Sequence, residues 1–469
     1  MPPLWFDTDT LFYASEWVIR LGALAIIPLR RSPAAARGWL LLIFFLPWAG
    51  LFLFWMIGSP KFPEWRMERF HRLRPFFAET AESQRPFAAH LGDATPIADL
   101  AETLGQMPAT GGNHLDLIDD YEGLIDRLIA DIDGATRSVH ILVYIFADDA
   151  TGRRVIDALG GAVRRGVDVR VMVDPVGSYR WWRNTDRLLR TRGVHVREAL
   201  PFRFIRGRTR RDMRNHRKLF VIDGCVGYAG SQNIVDPEFR PGIYNHELVA
   251  RVTGPVVASM DALVRGDWNM ETGDYPTHSP ITPEPLANAR VQLLPSGAAY
   301  PLEGFQTLLV WQIHQAQSHV IIATPYFIPD DDVLGAMAAA VARGVHVDLV
   351  VSEVVDQPLV HLSQSSFYAD LLDAGVHINL YPRHLLHAKN LSIDDRLAIV
   401  GSSNVDIRSF QLNEEASLLL YDADSIARVK AIQQGYLDVS TRLRSDEWAQ
   451  RPFHRRMLEN GARLVNSLL

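Results

Sequence analysis

A chain of 469 residues with 48% hydrophobic content is long enough for two domains of ordinary size plus an appendage, because domains typically run to about 100–200 residues. Its formal net charge of −6 leaves no global basic field of the kind that general nucleic-acid binding needs, which counts against a nuclease. The lone cysteine, Cys225, excludes an intramolecular disulfide and a thiolate metal cluster; no metalloprotease, phosphate-loop or dinucleotide fingerprint stands out among 16 scattered histidines, so chemistry without metal or cofactor is expected.

Residues 1–60 read as a membrane anchor of two hydrophobic helices. The first apolar stretch, 11–29, carries Glu16 and Arg20 one helical turn apart, able to pair on one face; it can span, lie in the interface, or enter and turn back. A short basic loop follows with Arg30, Arg31 and Arg37. Residues 39–57, WLLLIFFLPWAGLFLFWMI, hold no charge over about the length of a bilayer core, with Trp39 and Trp55 near the ends and a tolerable kink at Pro47. This second stretch is expected to be the crossing helix. The first ten residues have no basic run and two apolar segments follow, which argues against a cleaved signal peptide. Lys61, Arg66, Arg69, Arg72 and Arg74 make a second basic stretch, and two full crossings would put the two on opposite sides of the membrane. The side holding the catalytic body stays open on this reading.

A polar connector is expected over 61–110, then two α/β halves at 111–275 and 290–440, joined by a Pro-rich linker at 276–289, with an amphipathic tail at 441–469. In the first half SVHILVYIFA reads as a buried strand, ATGRRVIDALGGAVRRGV as an amphipathic helix and DVRVMVDPVG as the next strand; HVIIATPYFIPD, DDVLGAMAAAVARGV and HVDLVVSEVV repeat that order in the second. Between Arg180 and Arg217 lies a basic run with Trp181, Trp182, Arg206, Arg208, Arg210, Arg211 and Arg214, either a solvated face or a contact for anionic lipid headgroups. The tail, WAQRPFHRRMLENGARLVNSLL, alternates basic and apolar residues at helical spacing and fits an interfacial helix or one packed on the body.

The chemistry is carried by a duplication. HRKLFVID at 216–223 and HAKNLSID at 387–394 share a His, a Lys two places on and an Asp five further; Gly230, Ser231 and Asn233 then match Gly401, Ser402 and Asn404 at identical offsets. Strand alternation puts His216 and Lys218 on one face while Leu219 and Val221 serve the core. Imidazole acts as nucleophile or general acid near neutral pH, ammonium binds phosphate, and hydroxyl and amide groups hydrogen-bond phosphoryl oxygens. Two such sets put a histidine on each side of one phosphorus: one attacks, the other protonates the leaving alkoxide, and the roles swap in the second half-reaction. Membrane anchoring and the His–Lys pairs together imply a phospholipid phosphodiester as substrate, and leave open whether water or an alcohol takes the phosphatidyl group. Cys225, among small and apolar neighbours, reads as a buried structural thiol.

These motifs resemble the phospholipase D superfamily over most of the chain. The resemblance implies two pseudo-symmetric α/β domains with mixed β-sheets sharing one cleft, behind an N-terminal hydrophobic helical hairpin. It implies His216 and His387 as catalytic histidines, His216 the nucleophile; Lys218 and Lys389 as phosphate-binding lysines; Asn233 and Asn404, with Ser231 and Ser402, as substrate contacts; and Glu415 and Glu247 as acidic residues that orient the histidines. Asp223 and Asp394 are implied as structural partners within the motif. ATPYFIPD, the stretch from Asp356 to Asn390 and VGSSNVDIRSFQLNEEASLLLYD, together with the anchor, are similar to the bacterial cardiolipin synthase branch. That likeness implies transfer of a phosphatidyl group between two phosphatidylglycerol molecules in the bacterial inner membrane, with glycerol released; hydrolysis, or a different donor or acceptor, is the alternative.

Overall fold

The computed structural model describes residues 8–31, 33–58, 61–202 and 212–464. Arg206, Arg208, Arg210 and Arg211 of the basic run lie outside the described residues.

Each half begins with the same piece of local chemistry. A buried strand, Ser138–Val143 or His319–Ala323, leads into a loop whose aspartate caps the next helix: Asp149 accepts from Gly152 N–H at 2.9 Å and Asp330 from Val333 N–H at 3.1 Å. The helices return the chain to parallel strands Asp168–Val173 and His346–Ser352, and His195–Glu198 and His377–Tyr381 follow in parallel. On the other side of each first strand runs the strand that follows the H-x-K motif, Leu219–Ile222 or Asn390–Ile393, antiparallel, so both sheets are mixed. The halves join edge to edge where Thr110–Ile118 pairs with Ala289–Ser296, giving one sheet of fifteen strands among the described residues. One face of it is covered by helices Val257–Thr272 and Ala423–Val439, which share a core spanning both halves; the other face carries a separate core in each half.

The stretch expected as a polar connector is folded structure. Helices Glu64–Arg72 and Arg74–Gln84 press Phe70, Leu73, Phe76 and Phe77 into the shared core, and Thr95–Gly105 gives Ile97, Ala101 and Leu104 to the core of the second half. Its many polar residues mask apolar positions at helical spacing, which is how short amphipathic helices read.

The anchor also departs from expectation. The long helix is the first, α1 (Thr8–Arg30), while 39–57 is split at Leu46 into α2 (Pro33–Phe45) and α3 (Pro47–Ile57). Leu46 adopts φ −131°, ψ 73°, Pro47 has no N–H to continue the ladder, and the chain doubles back: Trp39 and Phe54 meet edge to face at 5.3 Å, and a Cβ on Gly50 would lie 2.8 Å from Ile43 Cα. Only glycine permits that approach. Arg20 on α1 donates from Nε to Phe44 O at 3.0 Å and from Nη2 to Glu16 at 3.2 Å, so a side chain of α1 satisfies the carbonyl at the hairpin tip.

Candidate active site

Each H-x-K segment is zippered to the other half. His216 N–H donates to Glu414 O and Glu414 N–H to Arg214 O, both at 2.8 Å; in the mirror arrangement, Leu385 N–H donates to Tyr244 O and His387 N–H to His246 O, also at 2.8 Å. This register sets a glutamate of one half behind the histidine of the other. Glu415 takes Nδ1 of His216 at 2.9 and 3.0 Å, and Glu247 takes Nδ1 of His387 at 2.8 and 2.9 Å. With Nδ1 held by a carboxylate, each ring keeps Nε2 for chemistry. Both histidines line one cavity of about 680 Å³.

Lys218 and Lys389 are buried, and each ammonium donates to the carbonyl of the histidine two residues before it, at 2.8 and 2.5 Å. Burial pulls the Lys218 ammonium down to about 7, with a smaller contribution from Lys389, and that of Lys389 to about 8, in each case against the attraction of Glu415 and Glu247. Burial likewise lowers both imidazoles, His216 to about 4, while the paired histidine and lysine hold Glu247 down at about 2 and keep Glu415 low. Buried ammoniums and imidazoles whose charged forms are disfavoured by desolvation make a site where a bound anion is stabilised.

Asn233 and Asn404 line the cavity; Asn233 Oδ1 accepts from Ile145 N–H at 3.0 Å, which leaves its amide hydrogens for a phosphoryl oxygen. Ser231 and Ser402 are placed differently from the expected substrate contacts. Both are buried behind the glutamates: Ser402 Oγ donates to Glu415 at 2.5 Å and accepts Ala416 N–H at 3.0 Å, and Ser231 Oγ accepts Leu248 N–H at 2.9 Å. Their strands turn the hydroxyls toward the carboxylates, with Ser409 adding a second donor to Glu415 at 2.9 Å. Asp223 and Asp394 sit at the far ends of the motif strands at positive φ, Asp223 accepting from the N–H groups of Thr136, Arg137 and Ser138, and Asp394 from those of Gln317, Ser318 and His319. They fasten the strand ends and do not touch the cavity. Cys225, in the turn after Asp223, is exposed and not buried as expected, because the tight Asp–Gly turn projects it beyond the strand pair.

Several cavity residues escaped the motif reading. Tyr144 lies edge on to His216 at 4.8 Å with Lys218 Nζ 5.3 Å over its ring, and Tyr326 holds Asp356, which also pairs with Arg240. Both tyrosines lie just after the first parallel strand of their half, but at different positions of the repeat: the strand register sets Tyr144 against Pro325 and Tyr326 against Ile145, so the duplication gave no signal for them. Arg217, the unmatched residue of the first motif, is fully buried between Asp267 and Glu414, 2.6 Å from each, under Tyr300. It bolts the first histidine's strand to the second half. Among the described residues no group of His, Cys, Asp and Glu is arranged to hold a metal ion.

The family model described as "Cardiolipin synthase, PLD-like domain" matches residues 128–268 and 309–435, one H-x-K motif in each block. Cardiolipin synthase A of Serratia proteamaculans (strain 568) is 34% identical over 460 residues, covering 94% of this chain and 95% of that protein. The chain belongs to the cardiolipin synthase family. Cardiolipin synthase A of Proteus mirabilis (strain HI4320) is 32% identical across 97% of each chain, so the likeness takes in anchor, both halves and tail. As a member of the cardiolipin synthase family within the phospholipase D superfamily, the chain is a phosphatidyltransferase of phospholipid biosynthesis that works at a membrane. Among solved structures, phosphatidylserine synthase of Haemophilus influenzae Rd KW20 superposes with TM-score 0.58 at 16% identity, over 80% of this chain and 100% of that one. Polyphosphate kinase of Porphyromonas gingivalis superposes with TM-score 0.50 at 16% identity, over 71% of this chain and 49% of that one. At that identity the two share the fold with the cardiolipin synthase family.

Proposed function

We propose that the chain makes cardiolipin from two molecules of phosphatidylglycerol, with His216 as nucleophile and His387 as general acid and base. The observation that carries this is the crossed pairing, in which two histidines, each held at Nδ1 by the other half's glutamate, share one cavity. Nε2 of neutral His216 attacks the phosphorus of the first lipid. The bond from phosphorus to the glycerol headgroup oxygen breaks, and protonated His387 gives its Nε2 proton to that oxygen, releasing glycerol. The phosphatidyl group is then on His216 as a phosphoimidazolium whose positive charge faces Glu415. Neutral His387 next takes the proton from the terminal hydroxyl of a second phosphatidylglycerol, the oxygen attacks phosphorus, the P–N bond breaks and His216 is restored. The negative charge of the incoming phosphate raises His387 toward the imidazolium needed for the first step and keeps Lys218 and Lys389 charged against the equatorial oxygens.

Asn233 and Asn404 contact the phosphoryl oxygens; Ser231 and Ser402 act through the glutamates. In the bacterial inner membrane α1, about 34 Å long at ~1.5 Å per residue, crosses the bilayer, whereas α3, about 16 Å, reaches only about halfway through a ~30 Å core. With α2–α3 as a half-depth hairpin, the arginines of the 30–37 loop and those after Lys61 fall on one face, which removes the conflict in positive-inside signals and sets the body on the cytoplasmic side.

Labelled phosphatidylglycerol supplied alone, without metal or nucleotide, should give cardiolipin with one glycerol per cardiolipin, and excess glycerol should drive the reaction back. Phosphatidic acid as the main product, with cardiolipin absent at high lipid density, would replace the transferase by a hydrolase.

A further inference from the structure

The C-terminal helix, Phe453–Leu464, is bound to the body along one side only. There it lies on helix Pro358–Ser365, burying Ala462 and Glu459; Glu459 takes ion pairs from Arg451 at 2.9 Å and Arg455 at 3.2 Å, and Arg463 pairs with Asp370 at 2.8 Å. The opposite side carries Phe453, Met457 and Leu464 in a single stripe, exposed by 74, 60 and 85%, and Leu458, about 100° further round the helix, is 60% exposed. Arg456 borders the stripe on one edge and His454 on the other, while Arg463 is held against the body by Asp370 and the Phe367 ring. Such a helix is neither a core element nor an ordinary solvated one: the apolar residues point away from the protein and the cations flank them.

We propose that this helix is a second membrane contact, laying its stripe into the headgroup and acyl boundary of an anionic bilayer while Arg456 beside the stripe meets lipid phosphates. Charge complementarity favours a lipid surface over a second copy of this chain, since cations gather here on a chain of net charge −6. Position favours it as well. The helix beneath it follows the end of strand His346–Ser352, and its Val360, with Gln357 just before it, lines the cavity. On the other flank the helix that follows the anchor, Glu64–Arg72, reaches the same strand-end rim: Arg66 pairs with Glu271 at 2.7 Å, Glu271 accepts Leu200 N–H at 3.1 Å, and Leu200 O accepts from Arg214, a cavity residue, at 3.0 Å. The cleft mouth therefore lies between two membrane attachments, one on each half, and lipid can enter it sideways from the leaflet. For its ligand class this inference rests on the lipid reading of the cleft.

The test uses the full chain in phosphatidylglycerol-containing nanodiscs, with Cys225→Ser and Met457→Cys labelled by an environment-sensitive fluorophore, and Asp395→Cys as an aqueous control. Bromine on the lipid acyl chains should quench the label at 457 and spare the control, while aqueous iodide should do the reverse. A label at 457 that iodide reaches and brominated lipid does not would overturn the proposal, whatever the enzyme's activity. In a second arm, Met457→Glu should raise KM for bilayer phosphatidylglycerol by roughly tenfold, as expected when an interfacial helix loses its apolar contact, and leave turnover of monomeric short-chain phosphatidylglycerol unchanged. An equal loss on both substrates would reject a membrane role. Absence of cardiolipin from the wild-type chain would refute the functional reading instead, leaving the quenching result to stand by itself.

Discussion

Replacing Glu415 with Gln tests the crossed pairing at its most loaded point. The carboxylate is fully buried and takes His216 Nδ1 on both oxygens, Ser402 Oγ at 2.5 Å and Ser409 Oγ at 2.9 Å, so three donors converge on it. A glutamine keeps the volume but turns an NH₂ group toward at least one of those donors. The charge-assisted bond to the imidazole is lost, at about 1.5–3 kcal/mol, or roughly 10–150-fold in rate. The imidazole is also free to carry its proton on Nε2, the attacking atom; a change of the same type in the serine-protease triad lowers kcat by about 10⁴. A fall in kcat of about 10²–10⁴ is therefore expected for Glu415→Gln, with KM little changed because the phosphate-binding groups are intact. Release of labelled glycerol from phosphatidylglycerol measures it, and a thermal melt checks folding. Since Glu415 acts through His216, the His216→Ala, Glu415→Gln double variant should be no slower than His216→Ala alone. A kcat within about threefold of wild type, or losses that multiply in the double variant, would refute the positioning role.

Three further outcomes follow from the geometry. His387→Ala should block turnover and, with a donor whose leaving group needs no proton, accumulate a phosphatidyl adduct on His216; a peptide map with the adduct on another residue would reassign the nucleophile. Because burial lowers Lys218 to about 7 and Lys389 to about 8, the site loses positive charge as pH rises through that range, so KM should climb between pH 7 and 9 while kcat at saturating lipid stays flatter. A KM constant across that interval would contradict this. Arg217→Met, which leaves Asp267 and Glu414 buried without their cation, should cost about 3–5 kcal/mol of stability in a denaturant titration; the double change with Asp267→Leu should recover part of it, and near-wild-type stability of the single variant would show that the pair is not needed.

What was legible beforehand was what repeats. The paired H-x-K segments, the strand–helix–strand order and the trailing Gly-Ser-x-Asn each occur twice, and each corresponds to a matched element of the two halves. The crossing was not legible, because a motif shows which residues exist and not which half supplies a partner: the zippers of 214–216 with 414 and of 385–387 with 244–246 are long-range backbone pairings that leave no local mark. The serines were misplaced for a related reason, since a hydroxyl within reach of a phosphate and one behind a carboxylate have the same spacing in the chain. Hydropathy misjudged 39–57 because it counts apolar residues without regard to direction, and the reversal depends on one φ, ψ pair at Leu46 and on the missing Cβ of Gly50. The connector hid its buried faces among charged residues of short helices.

The two zippers tie catalytic competence to closure of the domain interface. If the halves part, His216 loses Glu415 and His387 loses Glu247 in the same movement, so no partly open molecule keeps one oriented histidine without the other. On the proposed mechanism, an enzyme that holds a phosphatidyl group on one histidine is thereby protected from becoming a stray lipase: loosening switches off the nucleophile and the proton donor together, and damage ends in silence before it ends in leakage of phosphatidic acid.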